Sequence, residues 1–141
     1  MVKFELKHLD DLTEIRDELG GNLREKLELY CEMGTAYTIF DGGKPIAICG
    51  AVVQWEGVAE VWFLTTHHID KCKIHFYREV MRGMRTIKKL FNLHRIQCSV
   101  EFDYEQSIKW LESMKFRCEG LMVAYGPDQK NHYRYSLTWL F

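Results

Sequence analysis

A chain of 141 residues with 47% hydrophobic and 28% charged residues has the size and composition of one globular domain, residues 1–141. Its formal net charge of −1 excludes a generally basic nucleic-acid or anionic-membrane binder and leaves only local patches for such partners. The longest apolar runs are strand-length, far short of the ~20 residues of a membrane helix. With no signal peptide in the charged start MVKFELKHLDD, a soluble cytoplasmic protein is expected.

Val2–Leu6 alternates weakly and reads as an opening strand. Asp10 or Asp11 then caps a helix carrying Leu12, Ile15 and Leu19, which Gly20-Gly21 stops. Leu23–Met33 reads as a second helix with Leu23, Leu27 and Tyr30 on one stripe, closed by Gly34. The period then changes. Ala36–Phe40 and Pro45–Gln54 flank Asp41-Gly42-Gly43 as a β-hairpin, and Val58–Thr66 follows as a third strand.

Lys71–Phe91 has the spacing of a long helix, its stripe being Ile74, Tyr77, Met81, Met84 and Phe91, widened by Phe76, Val80, Ile87 and Leu90. Leu93–Phe102 alternates as a strand, and Tyr104–Met114 reads as a short helix. Val123 with its neighbours and His132–Leu140 form a closing hairpin about Gly126-Pro127-Asp128. The predicted order is β-αα-βββ-α-β-α-ββ. That is an α/β (α+β) domain with a mixed sheet of about seven strands and about four helices.

This order is similar to that of the GNAT N-acyltransferase fold. The segment FDGGKPIAICGAVVQWEGVAEVWFLTT resembles the central GNAT meander. YEQSIKWLESMKF resembles the late GNAT helix, usually N-x-x-A-h-x-h-Y-x-x-h-G-F with h apolar. The WFLTT strand end, the glycine-free loop after it and the late helix most resemble a phage GNAT-like subgroup that includes the internal virion protein of short-tailed coliphages. The resemblance implies acetyl-CoA as cofactor and an amine as acceptor. It also implies a place in the host cytoplasm or the virion.

Carried over position by position, the resemblance places Glu60 where GNAT enzymes often hold a general base. Glu60 is also the only charged residue of Val58–Thr66, where a carboxylate needs a partner or a raised pKa. The alternative is a structural carboxylate salt-bridged to a neighbouring strand. The resemblance further places Leu64, Thr65 and Thr66 along the coenzyme, with His67, His68, Lys71 and Lys73 at its pyrophosphate. The family's loop is Q/R-x-x-G-x-G/A, and HHIDKCK has neither glycine. The helix that follows still offers unpaired amides and its dipole to an anion. At the position of the family's general-acid tyrosine stands Leu111, and at that of its glycine stands Lys115. Tyr104 and Tyr125 are left as alternative acids. A GNAT-like acyltransferase is therefore one reading. A catalytically inactive GNAT-fold phage protein, working in virion assembly or by binding a host factor, is the other.

The five cysteines are odd in number, widely spaced and free of CxxC, which fits reduced thiols. His68, Cys72 and His75 would share a helix face if the helix began early, but no zinc spacing is present and no metal site is assigned. Cys72 lacks an evident oriented His-carboxylate pair for nucleophilic work. Arg78, Arg82, Arg85 and Lys89 form a basic stripe that reads as a solvated face and a weak nucleic-acid signal. Trp62 shares a strand face with Glu60 and Leu64 and is placed on the same cavity or in the core. The apolar ending YSLTWLF points to pairing with another subunit, a homodimer or a phage or host protein.

Overall fold

A computed structural model describes residues 2–5, 8 and 23–139, excepting the side chains of residues 23 and 24. The elements are β1 (Val2–Lys3), α1 (Leu23–Glu32), β2 (Gly34–Asp41), β3 (Lys44–Trp55) and β4 (Val58–Thr65). A 3-10 turn (His67–Lys71), α2 (Lys73–Leu90), β5 (Arg95–Glu101), α3 (Glu105–Ser113), β6 (Arg117–Met122) and β7 (His132–Thr138) complete the chain. The helix expected from Leu12 to Leu19, with its caps, lies outside the described residues. Three α-helices and the 3-10 turn are described where about four helices were expected.

The strands form one seven-stranded sheet in the order β1-β2-β3-β4-β5-β7-β6. All neighbours are antiparallel except β4 and β5. Gly42 (φ 56°) and Gly43 (φ 83°) make the two-residue turn between β2 and β3. Two successive positive φ values suit the right-handed twist of a hairpin, and glycine adopts them without steric cost.

The alternation of the strands builds a core on each face. Between the sheet and helices α2 and α3 lie Ile39, Ala47, Val61, Ile96, Cys98 and Val100 from the strands and Phe76, Val80, Met84, Ile87 and Leu111 from the helices. On the other face Leu27 of α1 packs with Ala36, Ile48, Val52, Trp62 and Leu64 of the strands. Each fully buried aliphatic side chain contributes about 1.5–3 kcal/mol, so these two layers carry the fold.

Helix α2 starts later than its spacing predicted, because the 3-10 turn comes first and Cys72 (φ −138°, ψ 43°) breaks the helical path. The buried face is Phe76, Glu79, Val80, Gly83, Met84 and Ile87; Ile74, on the opposite side, is 71% exposed and Leu90, the last helical residue, 59%. The late hairpin also differs. Its first strand is Arg117–Met122, and Val123 lies in the loop beyond it. Nor is the closing strand an edge: β7 runs between β5 and β6 with both sides paired, and Tyr135 and Ser136 are buried. It therefore has no free edge to offer another subunit; Leu140 and Phe141 lie outside the described residues.

Lys115, at the family's glycine, has φ 72° and closes α3, with Phe116 N–H donating to the Leu111 carbonyl at 3.0 Å. The left-handed conformation costs an L-residue roughly 1–2 kcal/mol. Glycine avoids this but loses about 0.5–1 kcal/mol more backbone entropy on folding. Lys115→Gly is therefore expected to stabilise the protein by about 0.5–1 kcal/mol, read from the midpoint of urea unfolding. A destabilised variant would contradict the account.

Candidate active site

Strands β4 and β5 are held together over only three residue pairs, Val58–Arg95, Ala59–Ile96 and Glu60–Gln97. Beyond these, β4 runs on to Thr65 and β5 to Glu101 without pairing to one another. The parted strands open a cleft of about 600 Å³. That is within the usual range for small-molecule sites. Glu60, Trp62 and Tyr30 line it from one face of the sheet; Phe76, Trp110 and Leu111 line it from the other.

Glu60 stands at the vertex. Arg134 from β7 donates to its two carboxylate oxygens at 2.8 and 2.9 Å, and Gln97 Nε2 donates to Oε2 at 3.0 Å. Gln97 in turn accepts from Arg95 Nε at 2.9 Å, and Arg95 is paired with Glu119. Glu60 therefore belongs to a polar chain that spans four strands, β4, β5, β6 and β7. Charge-assisted hydrogen bonds of this kind contribute about 1.5–3 kcal/mol each, enough to fix the carboxylate's direction. Burial opposes the Arg134 charge, yet the hydrogen bond and charge of Glu60 outweigh it and hold the guanidinium pKa above its ordinary value.

Trp62 is buried beside Tyr30, with ring centroids 5.6 Å apart, and its indole N–H has no hydrogen-bond partner among the described residues. An unsatisfied buried donor costs about 1–3 kcal/mol and is uncommon outside functional regions. Burial, then the charge of Glu60, raise the Tyr30 phenol above its ordinary pKa, so it stays protonated at neutral pH. Of the two alternative acids, Tyr125 lines the cleft, with the Arg134 guanidinium 5.9 Å from its ring, whereas Tyr104 packs against the core. Leu111 also lines the cleft and has no proton to give.

The expected coenzyme residues separate into three groups. Leu64 is buried in the layer beneath α1, and Thr65 lines the cleft. Thr66 is tied back to β3, both its N–H and its hydroxyl donating to the Ile46 carbonyl at 3.0 Å. His67, Lys71 and Lys73 are exposed on the turn and helix start, while His68 is drawn aside by Asp41 at 2.8 Å. Helix α2 has no acidic residue in its first turn, so its positive end is not neutralised by its own side chains.

His68 and Cys72 do not lie on α2, because the helix starts at Lys73; His75 does, and its Nε2 meets the Phe40 carbonyl at 2.7 Å. Burial, then the Asp41 charge, push the Cys72 thiol up, and its hydrogen goes to the His68 carbonyl at 3.5 Å rather than to an imidazole. That is a poor environment for a nucleophile. All five cysteines are free thiols. The stripe Arg78, Arg82, Arg85 and Lys89 is exposed, with Arg82 paired to Glu79 at 2.6 Å. No described helix is long and apolar enough to cross a membrane.

Sequence reasoning missed Gln97, Arg134 and Tyr30. Their signal was present but faint: Arg95, Gln97, Ser99 and Glu101 occupy the polar phase of β5, facing away from buried Ile96, Cys98 and Val100. Nothing local joins that phase to Glu60.

No family model matches the sequence, and no curated protein matches it at a significant level. Solved structures do match the fold. Ard1 from Thermoplasma volcanium is 13% identical, with a TM-score of 0.80 over 99% of this chain and 96% of that one. A mutant of the spermidine N-acetyltransferase SpeG from Vibrio cholerae is 17% identical, with a TM-score of 0.77 over 97% and 91%. The IAA acetyltransferase from Bacillus cereus is 12% identical, with a TM-score of 0.67 over 82% and 84%. The chain is a single α+β domain with a GNAT-like fold.

Proposed function

We propose that this protein is an N-acyltransferase that moves an acetyl group from acetyl-CoA to an amine. The observation that carries the reading is the parting of β4 and β5 with Glu60 held at its vertex. In this reading the pantetheine arm lies along the open side of β4 at Leu64–Thr66, and the pyrophosphate meets the exposed His67, Lys71, Lys73 and the positive end of α2. His68 borders that surface while paired with Asp41. The acceptor approaches from the side of Glu60, which takes its proton directly or through one water. The amine then attacks the thioester carbon, the carbon–sulfur bond breaks, the nitrogen's surplus proton passes to solvent, and the departing thiolate takes a proton from solvent or from a tyrosine of the cleft, Tyr30 or Tyr125, which solvent reprotonates. The acetyltransferase names of two fold neighbours support the chemistry by analogy alone.

A second reading is favoured by Leu111 and by the glycine-free turn whose Thr66 amide is already bonded. It is a GNAT-fold phage protein that has kept the cleft as a binding surface, for virion assembly or a host factor.

Calorimetry with acetyl-CoA separates the two. A glycine-free turn offers fewer backbone amides to the pyrophosphate, so a Kd roughly between micromolar and millimolar is expected, about 4–8 kcal/mol of binding. Nanomolar binding would mean that the turn rearranges to expose more amides. No heat at millimolar ligand would favour the second reading.

A further inference from the structure

We infer that Asp41, His68 and Cys72 form a binding site for a zinc-class divalent transition-metal ion at the junction of β2, the 3-10 turn and α2. Their ligating atoms, a carboxylate oxygen, an imidazole nitrogen and a thiol sulfur, all lie within 4.8 Å of one another. They form the one such group of three among the described residues. His68 Nε2 already stands 2.8 Å from Asp41 Oδ2, and the side chains are 25% and 41% exposed, open enough for an ion to enter.

The donor set argues for the metal's identity. Sulfur with imidazole nitrogen selects zinc, cobalt and their neighbours over magnesium or calcium, which prefer all-oxygen shells. Zinc bonds of about 2.0–2.3 Å place tetrahedral ligands roughly 3.3–3.8 Å apart, so separations of up to 4.8 Å close by about 1 Å while the 2.8 Å Asp41–His68 pair opens by about 0.5 Å. Rotations of the Asp41 and Cys72 side chains supply that. On binding, Cys72 gives its proton to solvent and becomes the thiolate, and water fills the fourth position. The charges then balance: a dication meets one carboxylate, one thiolate and one neutral imidazole.

The three residues also come from two separately anchored segments. Asp41 ends β2 beside the Gly42-Gly43 turn, and Ile69 fixes the 3-10 turn in the core between His68 and Cys72. His75 keeps its Nε2 on the Phe40 carbonyl and is outside the set. The ion would clasp the glycine-free turn to the β2–β3 hairpin. This inference stands whether or not the cleft transfers acetyl groups.

The test is titration of the full, reduced chain with Co²⁺, followed by displacement with Zn²⁺. Expected are one equivalent of cobalt, a thiolate-to-cobalt band in the near ultraviolet, intense tetrahedral visible bands, and loss of both when zinc is added. Cys72→Ser should abolish the thiolate band while Cys118→Ser, at an exposed cysteine, retains it. Asp41→Asn and His68→Gln should each weaken zinc binding by about 100-fold or more, at least what loss of an outer-shell partner costs. Zinc should also raise the Tm of the parent but not of Cys72→Ser, and circular dichroism of each variant checks its folding. No thiolate band at millimolar cobalt overturns the proposal. So does a band that survives in folded Cys72→Ser, or affinities unmoved by Asp41→Asn and His68→Gln.

Discussion

Glu60→Gln is expected to lower acetyl transfer by roughly 10²–10⁴-fold, the usual contribution of a general base, or about 2.7–5.5 kcal/mol of barrier. A lysine-like acceptor with a pKa near 10.4 is almost wholly protonated at neutral pH, so a proton must leave before its lone pair can attack. Glu60 is the carboxylate where β4 and β5 part, and Arg134 and Gln97 aim it. Glutamine keeps the shape and still accepts from Arg134, but takes no proton. Acetyl-CoA affinity should therefore hardly change while turnover falls, the pattern of a group that acts only in the reaction. Raising the pH should restore part of the loss, because free amine then forms unaided. Steady-state rates of parent and variant from neutral to alkaline pH, over a panel of primary amines, provide the measurement. Equal rates throughout would return Glu60 to a purely structural ion pair.

Ile96→Ala is expected to cost about 2–5 kcal/mol of folding stability. Ile96 is fully buried near the start of β5, opposite Ala59 on one side and Leu137 on the other. Removing its side chain leaves a void where the two halves of the sheet meet, and rigid strands on both sides cannot collapse into it. Against a typical total of roughly 5–15 kcal/mol, this would be a large fraction of the fold's margin. Urea unfolding followed by tryptophan fluorescence gives the value. A loss below about 1 kcal/mol would mean that the site relaxes, contrary to this packing.

The sequence was most readable where short-range chemistry decides the outcome. Alternation and the Gly42-Gly43 turn fix the β2–β3–β4 meander because each strand has a buried face and the turn needs positive φ. Strand β6 escaped because none of its residues is buried, so no alternation marks it. Helix α2 was found, but its inward face was misplaced, since its apolar residues spread over a wide arc and the side that turns inward holds Phe76, Val80 and Ile87 together with Glu79 and Gly83. The parting of β4 and β5 has no local signature: residues 58–65 contain neither glycine nor proline. Pairings over distance were harder still. Glu60 and Arg134 are 74 residues apart, and they meet only because β7 is inserted beside β5. Asp41 and His68, 27 residues apart, meet because the chain returns past the hairpin's end.

The cleft reaches through the sheet, with Glu60 and Tyr30 on one face and Phe76 and Leu111 on the other. Two reactants can therefore occupy it at once, entering from opposite sides and touching only at the gap between the strands. Neither has to leave before the other arrives. For a transferase built this way the natural kinetic order is sequential, through a ternary complex, with no acylated protein as a way station.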